Sequence, residues 1–189
     1  MAKLPDISAA TRLDENLRKV VIHPERVAFA IRRARKQLQQ SRDDGNDTQI
    51  LRTLGYLTDA CRIAGELDTA VTYGQEALER SRSAGNRNAE VANLIRLGEA
   101  HTYRDEHAIA EPLFREALTL STGGDAHALH DFALQHLGKC LLEMGRYDES
   151  IACLELALAL RREQGISSLT ESTEAALGLA RARMATPST

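Results

Sequence analysis

Two histidines three residues apart, His127 and His130, with Asp131 beside them, are the side chains here best spaced to hold a metal ion. On one turn of a helix they can face a common point, but a structural zinc site needs four protein ligands and a catalytic one three. The sequence implies no third ligand, so no metal is expected. The three cysteines form no Cys-x-x-Cys pair. Cys61 and Cys140 fall in apolar registers and Cys153 adjoins Leu154, which reads as buried free thiols. There is no Gly-x-x-x-x-Gly-Lys, no Gly-x-Gly-x-x-Gly and no nucleophile elbow. Acidic pairs such as Asp105-Glu106 and Asp148-Glu149 stand where helix ends are expected, suited to the positive end of a helix dipole. His101 reads as a packing residue, His107 and His136 as surface ones, and His23 as part of a turn before Pro24. Neither a catalytic group nor a cofactor is expected, and the chain is not read as an enzyme.

Charge narrows the partners. Twenty-four basic and 27 acidic residues give a net charge of −3, so nucleic acid is not an expected partner. The local exception is Arg32, Arg33, Arg35 and Lys36, with Arg26 near; these span more than one helix face and read as solvated surface, or else as an anion or RNA contact. No run approaches the ~18 apolar residues of a membrane span. The start, Met-Ala-Lys-Leu-Pro-Asp, lacks the apolar core of a secretion signal, and a cytoplasmic location is expected.

Positioning comes from a repeat. Leu17, Leu57, Leu97, Leu137 and Leu177 are spaced by 40 residues, and Leu38, Leu78, Leu118 and Leu158 form a second column. Ala30, Ala70, Ala110 and Ser150 form a third, of small residues that let backbones approach. Each unit is therefore two helices, and no run needs to be a strand. Helical spacing of apolar residues predicts helices over Ser8–Ile22, Glu25–Asp43, Gln49–Ala64, Leu67–Ser83, Ala89–Tyr103, His107–Ser121, Ala126–Glu143, Tyr147–Glu163 and Thr170–Met184. Pro24, Gly45, Gly65, Gly85, Gly145 and Gly165 fall between them. The expected organisation is one helical domain over 8–184, with pairs at about 8–45, 48–85, 88–124 and 126–165 and a capping helix at 169–184. The ends, 1–7 and 185–189, are expected to be flexible.

The pattern resembles the tetratricopeptide repeat family. The clearest stretch is Leu137-Gly138-x-x-Leu141-x-x-x-Gly145-x-Tyr147-x-x-Ser150, then Leu154, Ala157 and Leu158. Leu97-Gly98-x-x-His101 with Ala110, Phe114, Ala117 and Leu118 follows, then Leu57-x-x-x-Cys61-x-x-x-Gly65 with Ala70, Ala77 and Leu78. The first unit is degenerate, with Gln37 at a small-residue place. The family's usual unit is about 34 residues; this one is 40. The resemblance implies an all-α fold, an alpha-alpha superhelix or solenoid of antiparallel helix pairs.

It also implies a concave groove lined by the first helix of each pair. The matching positions are Arg52, Tyr56, Asp59 and Arg62, then Arg96, Glu99 and Tyr103, then Phe132, Gln135, His136 and Lys139. The family's Lys/Asn clamp for a terminal carboxylate is absent: its places hold Gly55 with Asp59, Ile95 with Glu99, and Gln135 with Lys139. The expected function is a non-catalytic scaffold binding another protein or an extended peptide of mixed charge. Two alternatives stand beside it. One is a structural module forming a homodimer through its C-terminal helix or groove. The other is a regulatory protein that senses a peptide or contacts nucleic acid. Reversing Arg62 or Arg96 to Glu is expected to weaken a groove partner and spare the fold.

Overall fold

The computed structural model describes residues 3–165 and 167–186. Its α-helices are α1 (Pro24–Asp43), α2 (Asp47–Ile63), α3 (Leu67–Ser83), α4 (Arg87–Tyr103), α5 (His107–Leu120), α6 (His130–Glu143), α7 (Tyr147–Gln164) and α8 (Ser167–Ala185). Local chemistry starts and stops them. Pro24 opens α1 where its missing amide costs nothing. The Asn46 and Asn86 side chains accept the amides of Gln49 and Ala89 at the starts of α2 and α4.

Each helix packs on the next in an all-α, tetratricopeptide-like solenoid, while α2, α4, α6 and α8 also touch in turn along an inner row. The small column Ala30, Ala70, Ala110 and Ser150 is fully buried, as are Leu57, Leu97 and Leu137 beside it. Gly138 shows why the seam needs a small residue: an added Cβ would lie 2.8 Å from Leu154 Cγ and 3.3 Å from the Ser150 carbonyl. Ser150 Oγ instead donates to the Gly138 carbonyl at 2.7 Å, joining α7 to α6. Outside the seam, Arg42–Glu76 and Arg82–Glu116 repeat the same ion pair one unit apart, each at 2.6 Å. Exposed pairs of this sort add little stability. Among the described residues no helix is long and apolar enough to cross a membrane.

Two expectations fail at helix starts. The helix expected from Ala126 begins only at His130, after a 3-10 stretch over Gly124–Leu129. More consequentially, the helix expected over Ser8–Ile22 does not form, and the leading pair is reduced to α1 alone. A 3-10 turn (Ser8–Ala10) leads into two antiparallel strands, β1 (Thr11–Leu13) and β2 (Lys19–Val21), with Thr11 opposite Val21. The Asp14 carboxylate accepts the amides of Asn16 and Arg18, both at 2.9 Å, and closes the turn. The β-branched run Val20-Val21-Ile22 favours the extended chain. Leu17, which continues the leucine column in sequence, sits at φ 59, outside any helix. The hairpin is anchored to α1 by the Ala10 carbonyl, which accepts from the amides of Ile22 and His23.

Of the ends expected to fray, Met1, Ala2 and residues 187–189 lie outside the described residues. Leu4 and Ile7, by contrast, pack against the core.

Candidate functional site

Two cavities border the row α2, α4 and α6, the larger of them also lined by Glu76, Glu79 and Arg80 of α3. The larger, of about 1070 Å³, lies toward the N-terminal ends of α2 and α4, lined by Leu51, Arg52, Asn93, Arg96 and Leu129 among others. The smaller, of about 440 Å³, takes in Tyr56, Asp59, Arg62, Glu99, Tyr103, Phe132, Gln135, His136 and Lys139. Of the positions carried over from the repeat pattern, Arg52 and Arg96 line the larger cavity and the others the smaller.

That smaller cavity is not vacant. Pro5, Ile7, Leu13, Leu17 and Lys19 of the N-terminal segment share its lining. Tyr56 Oη donates to the Pro5 carbonyl at 2.7 Å. Tyr103 Oη accepts the Lys19 amide at 2.6 Å and donates to the Lys19 carbonyl at 3.3 Å. Lys139 Nζ donates to the Leu17 carbonyl at 2.8 Å. These four hydrogen bonds all go to backbone atoms of the segment. One side chain of the segment is gripped as well. Arg18 reaches Asp105 Oδ1 at 2.8 Å and both carboxylate oxygens of Glu143, with its guanidinium 5.5 Å from the Tyr103 ring centre. His107 Nε2 lies 2.8 Å from Glu143 on the other side.

Beneath the segment runs a charge ladder. Arg62 is buried, 4.5 Å above the Tyr103 ring, within 3.4 Å of Asp59 and 3.3 Å of Glu99. Asp59 also accepts from Arg96 Nε at 3.1 Å. His136 stacks on Phe114 and approaches Glu99 at 3.5 Å, so it is not the free surface residue expected. Burial alone would raise the Glu99 carboxyl, but Arg62, then His136, Lys139 and Lys19, hold it down to about 2. Burial pushes the Lys139 ammonium and the His136 imidazolium down, and the Tyr56 and Tyr103 phenols up.

A pH dependence follows. Glu99 titrates at about 2 folded against an ordinary 4.5, so its stabilisation is complete above about pH 4.5 and is lost as the pH falls toward 2. Acid titration followed by the Tyr103 ring resonances is expected to show the groove loosening within that window, ahead of outer helix pairs. Simultaneous melting of all pairs would contradict a local origin.

Gln135 and Phe132 serve the fold more than the groove. Gln135 Oε1 accepts from Thr173 Oγ1 at 2.9 Å, tying α6 to α8. The Phe132 ring lies 4.9 Å from the guanidinium of Arg161. Arg161 and Asp131 form an ion pair at 2.7 Å, each side chain only 1% exposed. That pairing engages Asp131, the residue beside the two spaced histidines. His130 Nδ1 turns to Ser121 Oγ at 3.0 Å and His127 Nδ1 to the Ser121 carbonyl at 3.3 Å, their rings stacked. Asp105, His107 and Glu143 do bring ligand atoms close together, but the Arg18 guanidinium already contacts both carboxylates of that set. Burial pushes the Cys61 thiol up to about 12 and Cys140 to about 11, which keeps both protonated. The run Arg32, Arg33, Arg35 and Lys36 lies exposed on α1, with Arg35 paired to Glu66.

The sequence assigns no role to Arg18 and reads Asp105 only as part of an acidic pair at a helix end. A signal was there: the turn column holds Gly65, Asp105 and Gly145, and only the aspartate takes the left-handed conformation, φ 59, without being glycine.

No curated protein matches the chain. Among solved structures, the crystal structure of BtubC (BKLC) from P. vanneervenii is similar with a TM-score of 0.55 and 17% identity, over 88% of this chain and 76% of that one. At such identity the likeness is one of fold. A family model described as tetratricopeptide repeat matches residues 88–163. That stretch runs from α4 into α7, so the part of the chain that supplies Arg96, Glu99, Tyr103 and Lys139 is similar to the tetratricopeptide repeat.

Proposed function

We propose that the chain is a non-catalytic scaffold whose concave face binds an extended, mixed-charge segment of another protein. One observation carries this reading. The smaller cavity already holds the turn and hairpin of the N-terminal segment, its backbone met by Tyr56, Tyr103 and Lys139. The larger cavity, of about 1070 Å³, offers Arg52, Arg96, Glu76 and Glu79 beside Leu51 and Leu129. Opposite charges interleaved in this way reject a uniformly acidic or basic strand and favour one whose charges alternate to match.

Arg52 gives the cleanest test because it is exposed. Peptides selected by phage display on the full-length chain are expected to lose about 5- to 10-fold in affinity to Arg52→Glu, a typical effect for a rim charge. The melting temperature should not move. Binders indifferent to that reversal, or failure to select any, would count against the groove. Arg96→Glu is less clean, since it would set a carboxylate beside Asp59, which Arg96 now neutralises.

A further inference from the structure

We propose that Asp105, Glu143 and the Tyr103 ring form an arginine seat, filled in this state by Arg18, and that a partner segment enters by placing its own arginine there. The proposal rests on the groove reading above and adds the partner's chemistry and its built-in competitor. The seat is made by two loops of the solenoid. Asp105 stands in the turn between α4 and α5, and Glu143 closes α6. Glu143 is only 10% exposed and receives Arg18 through both oxygens, the fork geometry that an arginine fits and a lysine does not. His107 and Lys139 face the same carboxylate region from α5 and α6.

Three features mark Arg18 as an occupant rather than a part of the scaffold. It comes from a hairpin outside the helical repeat. Asp105 holds a backbone conformation that glycine takes in the equivalent turns, and its carboxylate is spent on Arg18 alone among the ion pairs of the described residues. The hydrogen bonds from Tyr103 and Lys139 to the hairpin go to backbone atoms that any polypeptide possesses, while Leu17 and Val21 pack their side chains against the core and Asn16 accepts from Arg183. An incoming segment with an arginine next to an extended stretch can therefore replace the fork and these backbone bonds. Tethering holds the hairpin at high effective concentration, so it lowers the apparent affinity of such a segment by the fraction of time the seat is filled.

The test uses the full chain and a labelled synthetic peptide of residues 5–21, alongside the same peptide carrying Arg18→Ala. The chain with Arg18→Ala is expected to bind the arginine peptide at least about tenfold more tightly than the unaltered chain does, because its own competitor is weakened. The alanine peptide should bind that variant at least about tenfold more weakly than the arginine peptide, since the fork contacts are lost. Asp14→Ala, which opens the hairpin turn and leaves the helices untouched, should reproduce the gain if Arg18→Ala fails to fold. Equal binding of the two peptides would overturn the seat while leaving the groove as a polypeptide site. Equal affinity of the unaltered and altered chains would overturn the competitor. No binding of either peptide to any chain would overturn both this proposal and the groove reading. An unaltered chain that dimerises by exchanging hairpins would mean that the seat belongs to a second copy.

Discussion

Asp131→Ala is expected to destabilise the chain by about 3–5 kcal/mol, the cost of leaving a buried charge without its partner. Arg161 would be that charge. Its guanidinium lies 2.7 Å from Asp131, 2.7 Å from Thr173 Oγ1 and 3.2 Å from the Leu169 carbonyl, and so holds α6, α7 and α8 together. The repeat pattern shows how unusual the pair is. The earlier units place Ser41, Ser81 and Ser121 where Arg161 stands, all buried and all returning their hydroxyls to carbonyls of their own helix. A large cation stands in a place built for serine, and Asp131 with Thr173 satisfies it there. Urea denaturation of the variant should show the loss, and hydrogen exchange should rise first in α8. A change within about 0.5 kcal/mol, as at an ordinary surface site, would mean that the pair contributes no net stability.

Arg62→Glu is expected to cost about 3 kcal/mol or more, by the same loss of a buried partner. The sequence pattern placed Arg62 on the groove and suggested that its reversal would spare the fold. The structure places it beneath the groove, 4% exposed, between Asp59 and Glu99. Reversal would gather three carboxylates over the Tyr103 ring and release Glu99 from the charge that holds it near 2. The measurable consequences are a lower urea midpoint and a Glu99 carboxyl that titrates well above that value. Arg52→Glu should show neither effect, which separates groove charge from supporting charge. An Arg62→Glu variant as stable as the parent would place Arg62 back on the open surface.

Legibility followed periodicity. Where small and leucine columns both recur, as in Ala70 with Leu57 and Ala110 with Leu97, the sequence located helices to within a residue or two, the start of α6 excepted. Their side chains face one another at every repeat, so the pattern is the packing. Residues 8–22 lacked that support. Leu17 and Val21 fell in register with Leu57 and Cys61 by position alone, while Asp14, Asn16 and the Val20-Val21-Ile22 run carried the local turn and strand preferences that decided the outcome. The proposed lining residues came from the repeat, which fixes which helix of each pair joins the inner row. What fills the groove was not legible, because Arg18, Asp105 and Glu143 meet across separations of 87 and 125 residues that no local pattern encodes. Arg161 was visible as a break in the Ser41, Ser81, Ser121 column, but its partner Asp131 was not, since nothing periodic links the two.

Hydrogen exchange of the Lys19 amide tests the central claim most directly, because its bond to Tyr103 Oη exists only while the N-terminal segment lies in the groove. In the unaltered chain that amide should be protected, and Tyr103→Phe should remove the protection while the amides of α4 stay slow. Exchange of Lys19 at the rate of an unstructured chain, with the solenoid intact, would contradict the occupied groove.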